Sequence, residues 1–141
     1  MPEKRSSSTS PDPVIVHIDG AARGNPGPAS IGVVVEHGRK ILNEISEAIG
    51  RTTNNVAEYT ALIRALEVLA DHGHTSARIY SDSELLVRQM SGQYRVKMPH
   101  LIPLYRRAQE LWEKFESLTL DHVPREKNKK ADALANRALD S

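Results

Sequence analysis

A helical pattern between short apolar runs restricts the fold of this chain more than any other feature. Apolar side chains recur with helical spacing from Tyr59 to Ala70, which predicts an amphipathic helix. The run VIVHID (14–19) before it and the run ARIYSD (77–82) after it are predicted strands. Because the later strand follows a helical crossover, we expect it to lie parallel to the first strand.

The remaining elements complete an α/β order. Two more strands, predicted over 31–36 and about 40–48, form an antiparallel meander with the first. Beyond the fourth strand, the pattern predicts a short helix over 83–90, a helix with Pro99 in its first turn, a fifth strand over 118–123 and a last helix over 128–139. We therefore predict a mixed five-stranded sheet, with three antiparallel strands and then two parallel ones, and helices on both faces.

Composition limits the class of protein. The chain has 141 residues, 39% of them hydrophobic and 26% charged, which is typical of one globular domain. We predict a flexible Ser/Pro-rich tail over residues 1–13 and a folded domain over residues 14–141. The tail lacks the apolar core of a signal peptide and no run is long enough to span a membrane, so we expect a cytoplasmic protein with no membrane partner. We also expect a monomer. The absence of cysteine excludes disulfides and thiolate sites, and a net charge of +1 predicts no partner by itself.

Four carboxylates are candidate metal ligands. Asp19 and Asp82 end two strands that are expected to be parallel, where ligand sites gather in α/β sheets; the alternative is that they only end strands and cap helices. Glu58 lies on the apolar stripe of the long helix, or is a first-turn glutamate that reaches water. Asp132 flanks the inward stripe of the last helix. If the four converge, they suit two hard cations, Mg²⁺ or Mn²⁺, which together can clamp a phosphoryl displacement.

Four longer motifs occur together in the chain. They are IDGAARGNPGPA (18–29), RTTNNVAEYTAL (51–62), YSDSELLVRQM (80–90) and HVPREKNKKADALANRA (122–138). In this order they resemble the type 1 ribonuclease H family. The resemblance implies a ribonuclease H-like fold and a metal-dependent endonuclease that hydrolyses the RNA strand of RNA–DNA hybrids by a two-metal-ion mechanism, leaving 3′-hydroxyl and 5′-phosphate ends. Its four metal-binding carboxylates fall on Asp19, Glu58, Asp82 and Asp132.

The resemblance also implies contacts with the hybrid's minor groove. Asn25 and Asn55 match family positions that face this groove, and backbone groups near Gly20 would approach the RNA 2′-hydroxyls, which distinguish RNA from DNA. The implied partner is an RNA–DNA hybrid, with other RNA-containing duplexes left open.

A phosphate pocket for the DNA strand is implied by a second set of residues. Arg51, Thr53 and Asn54 match it, and amides and hydroxyls at the start of a helix bind anions readily. The alternative is that Thr-Asn-Asn is only a helix cap and Gly-Asn-Pro-Gly only a turn.

The chain departs from many family members at three places. Many members carry a catalytic histidine in the loop before the last aspartate; here His122 falls inside the predicted fifth strand, and we favour Arg125 for a role at the leaving group. Glu84 replaces a glutamine that touches the minor groove in many relatives, so its carboxylate would repel phosphates or reach the metals. The short connection over residues 91–98 lacks the basic handle insertion of some relatives.

Two other functions are compatible with this fold. One is a catalytically weak or inactive module that binds hybrids or duplexes, although clustered carboxylates do not help a phosphate binder. The other is a nuclease or transferase that acts on DNA, which the residues expected at the 2′-hydroxyl disfavour.

Overall fold

Five strands form one mixed sheet in the computed structural model, which describes residues 13–140. β1, β2 and β3 pair antiparallel, whereas β4 lies parallel to both β1 and β5. This confirms the predicted sheet. The tail expected over residues 1–13 lies outside the described residues apart from Pro13, and the domain boundary at residue 14 stays a prediction. The strands are β1 (Val14–Ala22), β2 (Gly27–His37), β3 (Lys40–Thr52), β4 (Ser76–Ser81) and β5 (Ser117–His122), in the order β3-β2-β1-β4-β5.

The helices begin at residues that local chemistry favours. Thr53 caps the long helix, because its Oγ1 accepts a hydrogen bond from the Val56 N–H at 3.2 Å. Just beyond the end of that helix, Gly73 has a φ of +77°, a conformation that suits glycine. The helices are α1 (Asn54–Asp71), α2 (Glu84–Met90), α3 (Ile102–Trp112) and α4 (Lys129–Asp140), with a 3₁₀ turn at Arg125–Lys127.

The start of α3 differs from the prediction. The sequence predicts Pro99 in the first helical turn, whereas the helix begins at Ile102 and Pro103 occupies its first turn. Before it the chain forms a turn in which the Leu101 N–H donates to the Met98 carbonyl at 2.9 Å. Both prolines carry the same local signal. The buried side chain of Leu101, 1% exposed, anchors the intervening turn to the core.

The turn between β1 and β2 is shorter than the predicted range 20–28. β1 continues to Ala22 and β2 starts at Gly27, and the Arg23 N–H donates to the Pro28 carbonyl at 2.8 Å across the turn. Gly20 belongs to the strand, where its missing side chain serves close packing against α1 rather than a change of chain direction.

Helices cover both faces of the sheet, as predicted. On one face α1 packs against β1 and β2, and α3 packs against α1; on the other face α4 packs against β1, β2 and β3. The main apolar core lies on the α1 side and includes Ile18, Ile31 and Leu66, all fully buried. Within residues 13–140, no helix combines the length and apolar character needed to cross a bilayer.

Polar and glycine contacts seat α4 on its face of the sheet. Ser30 Oγ and Ser46 Oγ donate to carbonyl oxygens of α4 at 2.5 and 2.6 Å. A Cβ on Gly32 would come within 2.1 Å of the Ala131 carbonyl oxygen, so the helix lies directly on the backbone of β2. These contacts hold α4 against strands β2 and β3.

Candidate active site

Two aspartates come together where the parallel pairing of β1 with β4 ends. The strands pair in parallel with Ile18 beside Ser81, so Asp19 and Asp82, which follow these residues, lie at the same level of the sheet. Glu58 joins them from the N-terminal part of α1. One ligand oxygen from each of the three carboxylates lies within 4.8 Å of the others.

The absence of a side chain at Gly20 allows α1 to approach the sheet here. Its N–H donates a hydrogen bond to Glu58 Oε1 at 2.8 Å. A Cβ on Gly20 would lie 2.3 Å from the Ala57 carbonyl carbon and 2.4 Å from the Glu58 nitrogen, so a larger residue would push Glu58 away from Asp19. Backbone groups near Gly20 are expected to face RNA, but in the structure the Gly20 N–H is used by Glu58.

Asp132 reaches the carboxylates from α4, on the opposite face of the sheet. It forms a hydrogen bond with Asp19 through its side chain. Its helix is tied to β1 by Asn128, which is 1% exposed and whose Nδ2 donates to the Ile18 carbonyl at 2.9 Å. The Asp132 N–H in turn donates to the Asn128 carbonyl at 3.1 Å. Asn128 therefore sets the start of α4 against the strand residue that precedes Asp19.

Burial and mutual repulsion act on the carboxyl groups. The pKa of Asp19, which is 5% exposed, is raised to about 8, first by burial and then by the charges of Asp82 and Asp132. Burial and the charges of Asp19 and Asp82 also raise the pKa of Glu58 well above its usual value, against the Gly20 N–H, which favours the ionised form. The cluster is therefore unfavourable when fully ionised unless positive charge is placed within it.

The donor set fits a hard divalent cation. The clustered ligand atoms are carboxylate oxygens, which Mg²⁺ and Mn²⁺ prefer in proteins. The chain has no cysteine that would favour a softer metal. Asp19, Glu58 and Asp82 would hold the cation. Asp132 lines the same cleft, and its charge acts on Asp19.

A cleft of about 520 Å³ surrounds the carboxylates. It is bordered by the end of β1, the start of α1, the end of β4 and α4. The sequence-predicted site residues that line it are Asp19, Gly20, Asn54, Asn55, Glu58, Asp82, Arg125 and Asp132.

Three other predicted site residues do not line this cleft. Asn25 Oδ1 accepts a hydrogen bond from the Asn54 N–H at 3.0 Å, which links the β1–β2 turn to the start of α1. Thr53 caps that helix. Arg51 is exposed on β3, where it pairs with Pro28. The structure therefore places these residues beside the cleft, around the junction of β3 and α1.

Arg125 and His122, the two candidates for the role of the family's loop histidine, lie in different surroundings. Arg125 lines the cleft, and its positive charge opposes the rise in the pKa of Asp19. His122 is exposed at the end of β5, outside the cleft lining, and its charge acts on Glu84 instead. The 3₁₀ turn that begins at Arg125 was not predicted, and it carries this side chain toward Asp19.

Glu84 is neutralised rather than directed at the carboxylates. Arg88 Nε and Nη2 donate to Glu84 Oε2 at 3.0 and 2.7 Å, and this pairing lowers the pKa of Glu84. The Arg88 guanidinium also lies 5.3 Å from the centre of the Tyr94 ring. Glu84 does not line the cleft, so its carboxylate does not reach the candidate metal ligands as one of the expectations had it.

Asn136 and Arg23 line the cleft but were missed by sequence reasoning. Asn136 follows Asp132 by one helical turn, and this spacing puts both side chains on one face of α4. This spacing can be read from the sequence. Arg23 lies in the turn after β1, where no periodic pattern indicates a direction for the side chain, and only the fold shows that it borders the cleft.

The strand order and the carboxylates clustered where the parallel pairing of β1 with β4 ends define a protein of the ribonuclease H-like fold with an acidic cleft. A family model described as reverse transcriptase-like matches residues 17–138. Ribonuclease HI from Halobacterium salinarum is 47% identical over 128 residues, which cover 90% of this chain and 64% of the relative. Ribonuclease H from Clostridium botulinum is 31% identical over 147 aligned residues, which cover 90% of this chain and 95% of that protein.

Solved structures agree with these sequence relatives. The crystal structure of LC11-RNase H1 in complex with an RNA/DNA hybrid matches with a TM-score of 0.85 and 48% identity, covering 90% of this chain and 96% of that one. The chain belongs to the ribonuclease H family. It spans about a third of the length of a Mycobacterium tuberculosis relative, described as a bifunctional protein, to which it is 47% identical over 131 residues.

Proposed function

We propose that this chain is an endoribonuclease that hydrolyses the RNA strand of RNA–DNA hybrids by a two-metal-ion mechanism with Mg²⁺ or Mn²⁺. The products would carry 3′-hydroxyl and 5′-phosphate ends. The observation that carries the proposal is the cluster of Asp19, Glu58 and Asp82, whose ligand oxygens lie within 4.8 Å of one another in an accessible cleft. A site for binding alone gains nothing from clustered negative charge that faces a polyanion.

The residues of the chain hold and orient the reacting groups. Asp19, Glu58, Asp82 and Asp132 would hold the cations. Divalent cations bound there would supply positive charge for the phosphate and activation for the attacking water. Arg125 offers a fixed positive charge in the same cleft, where negative charge develops on the leaving oxygen.

Recognition of the hybrid is assigned to the residues around the start of α1. Asn54 and Asn55 line the cleft with side chains that can both donate and accept hydrogen bonds. The complex of LC11-RNase H1 with an RNA/DNA hybrid, at 48% identity, supports this substrate. We assign the minor-groove contacts to Asn25, Asn55 and backbone groups near Gly20 other than the Gly20 N–H, which Glu58 uses. We assign the DNA phosphate contacts to Arg51, Thr53 and Asn54.

A cleavage assay tests the proposal. A 5′-labelled RNA strand is annealed to DNA, annealed to RNA or left single, and is incubated with the protein in Mg²⁺, Mn²⁺ or EDTA. We expect metal-dependent cutting of the hybrid, with 3′-hydroxyl ends. Asp82→Asn should lower the rate by orders of magnitude, because the ligands act as a unit. Asp121→Asn, at an exposed position on β5, is the matched control and should retain the wild-type rate.

The alternative is a module that binds the hybrid without cutting it. Hybrid binding with no cleavage in either metal would favour it, and near-normal cleavage by Asp82→Asn would refute the metal site. An all-DNA duplex and an RNA duplex in the same assay test the remaining substrates. The cytoplasmic location and monomeric state expected from the sequence stay predictions, which cell fractionation and light scattering would check.

A further inference from the structure

Arg23 and Asp140 form an ion pair at the rim of the cleft. Arg23 Nη2 donates a hydrogen bond to Asp140 Oδ1 at 2.5 Å. Arg23 lines the cleft, whereas Asp140 does not. The pair joins the turn after β1 to the last residue of α4, across 117 positions of the chain.

Positive charge is scarce in this cleft. Its lining contains four carboxylates but two arginines, Arg23 and Arg125. The charge of Arg125 acts on Asp19. Arg23 instead pairs with Asp140, which lies outside the lining of the cleft.

The ion pair can be exchanged at low cost. The side chains of Arg23 and Asp140 are 51% and 63% exposed, and exposed pairs contribute little because water screens them. A guanidinium binds a phosphate through two parallel hydrogen bonds, which are stronger than a pairing through one nitrogen. The backbone of Arg23 is already held by its hydrogen bond to Pro28, so only the side chain needs to move.

We propose that Arg23 binds a backbone phosphate of the nucleic-acid strand that enters this cleft, and that Arg23 stays paired with Asp140 until that strand binds. The inference rests on the proposed function for its substrate. Binding exchanges the Arg23–Asp140 ion pair for an Arg23–phosphate pair. No covalent step is involved.

The test measures affinity for a fluorescent RNA–DNA hybrid in EDTA, by anisotropy over a series of salt concentrations. Arg23→Ala should raise the Kd about ten-fold and make the log Kd–log salt slope shallower by about 0.9, the contribution of one phosphate contact. Asp140→Asn should lower the Kd by about two- to five-fold, the range expected for release from an exposed pair. The gain should vanish in the Arg23→Ala/Asp140→Asn double variant, because it acts through Arg23.

Arg107→Ala is the matched control. Arg107 forms exposed ion pairs with Glu67 at 3.7 Å and Glu110 at 3.8 Å, outside the cleft, and its loss should leave the affinity for the hybrid unchanged. Thermal melting of each variant establishes that the fold is intact.

Two results would overturn the proposal. One is a Kd and salt slope of Arg23→Ala equal to those of the wild type. The other is an equal gain from Asp140→Asn with and without Arg23, which would mean that only the general charge of the surface matters. A wild-type protein that binds the hybrid through Arg23 but never cuts it would refute the nuclease and leave this inference standing.

Discussion

Replacing Asp19 by asparagine should stabilise the metal-free protein, although it removes a central residue of the site. The pKa of this buried carboxyl is raised from 3.8 to about 8. The folded state therefore binds more protons than the unfolded state between these two values. Because stability falls with rising pH wherever the folded state binds more protons, the contribution of Asp19 is fully favourable below pH 4 and is lost as the pH rises toward 8.

The size of the effect follows from the pKa difference. Each pKa unit corresponds to about 1.4 kcal/mol, so ionisation of Asp19 destabilises the metal-free fold by an amount on the order of 5 kcal/mol at pH 8. The asparagine side chain cannot ionise, so the variant does not bear this cost. We expect Asp19→Asn to raise the free energy of unfolding by about 2–5 kcal/mol at pH 8 in EDTA, and by much less at pH 4.

Urea unfolding followed by circular dichroism measures this difference directly. The wild type, Asp19→Asn and the exposed control Asp121→Asn are compared at pH 4 and pH 8 in EDTA, and again with Mg²⁺ at pH 8. Mg²⁺ should stabilise the wild type at pH 8 and have little effect on Asp19→Asn, because binding to the folded state adds stability by mass action. The reasoning is wrong if Asp19→Asn is no more stable than the wild type at pH 8 in EDTA.

Four further substitutions, one of them a control, test how the site and the surrounding fold are supported. Asn128→Ala removes the hydrogen bond to the Ile18 carbonyl; it should cost about 1–3 kcal/mol of stability and weaken cleavage, measured by urea unfolding and by hybrid turnover. Ser46→Ala removes another α4 anchor and, as the control for Asn128→Ala, should lower stability without changing turnover; equal turnover in both variants would contradict a link between Asn128 and the site. Gly32→Ala would place its Cβ 2.1 Å from the Ala131 carbonyl oxygen, so we expect a loss of about 1–3 kcal/mol from overpacking, and an unchanged melting temperature would contradict this packing. Tyr59→Phe leaves Gln89 Oε1 without its 2.7 Å donor and should cost about 1–3 kcal/mol with turnover retained; a loss of turnover at full stability would be the contrary result.

Local signals predicted the elements better than their ends. The apolar stripe of α1 depends on neighbours three or four residues away, so the sequence alone predicts this helix; it offers Thr53, Asn54 and Asn55 as caps, of which Thr53 is the one used. Pro99 and Pro103 carry the same preference for a first helical turn, and the predicted one, Pro99, lies before the helix. The glycine at position 20 signals a turn in the sequence, but in the structure it marks the place where α1 touches β1.

For the candidate site, the sequence predicted which residues belong to it but not the distances between them. Strand ends and helix faces indicated Asp19, Glu58 and Asp82 as candidates, because secondary structure sets which side of an element a residue occupies. Periodicity could not show that one oxygen from each lies within 4.8 Å of the others, since this distance depends on how α1 seats on the sheet. The predicted fifth strand already favoured Arg125 over His122, but no repeating pattern indicated the 3₁₀ turn at which Arg125 lines the cleft.

The sequence by itself determined the α/β order, the parallel pairing of β1 with β4 and the residue types available for chemistry, because these depend on local periodicity and on the handedness of a helical crossover. Only the tertiary structure decided which charges meet. The raised pKa of Asp19 and the pairing of Arg23 with Asp140 arise from groups on different elements, the latter 117 positions apart. Electrostatic interactions depend on distance and burial in space, and these are settled only when the helices pack against the sheet.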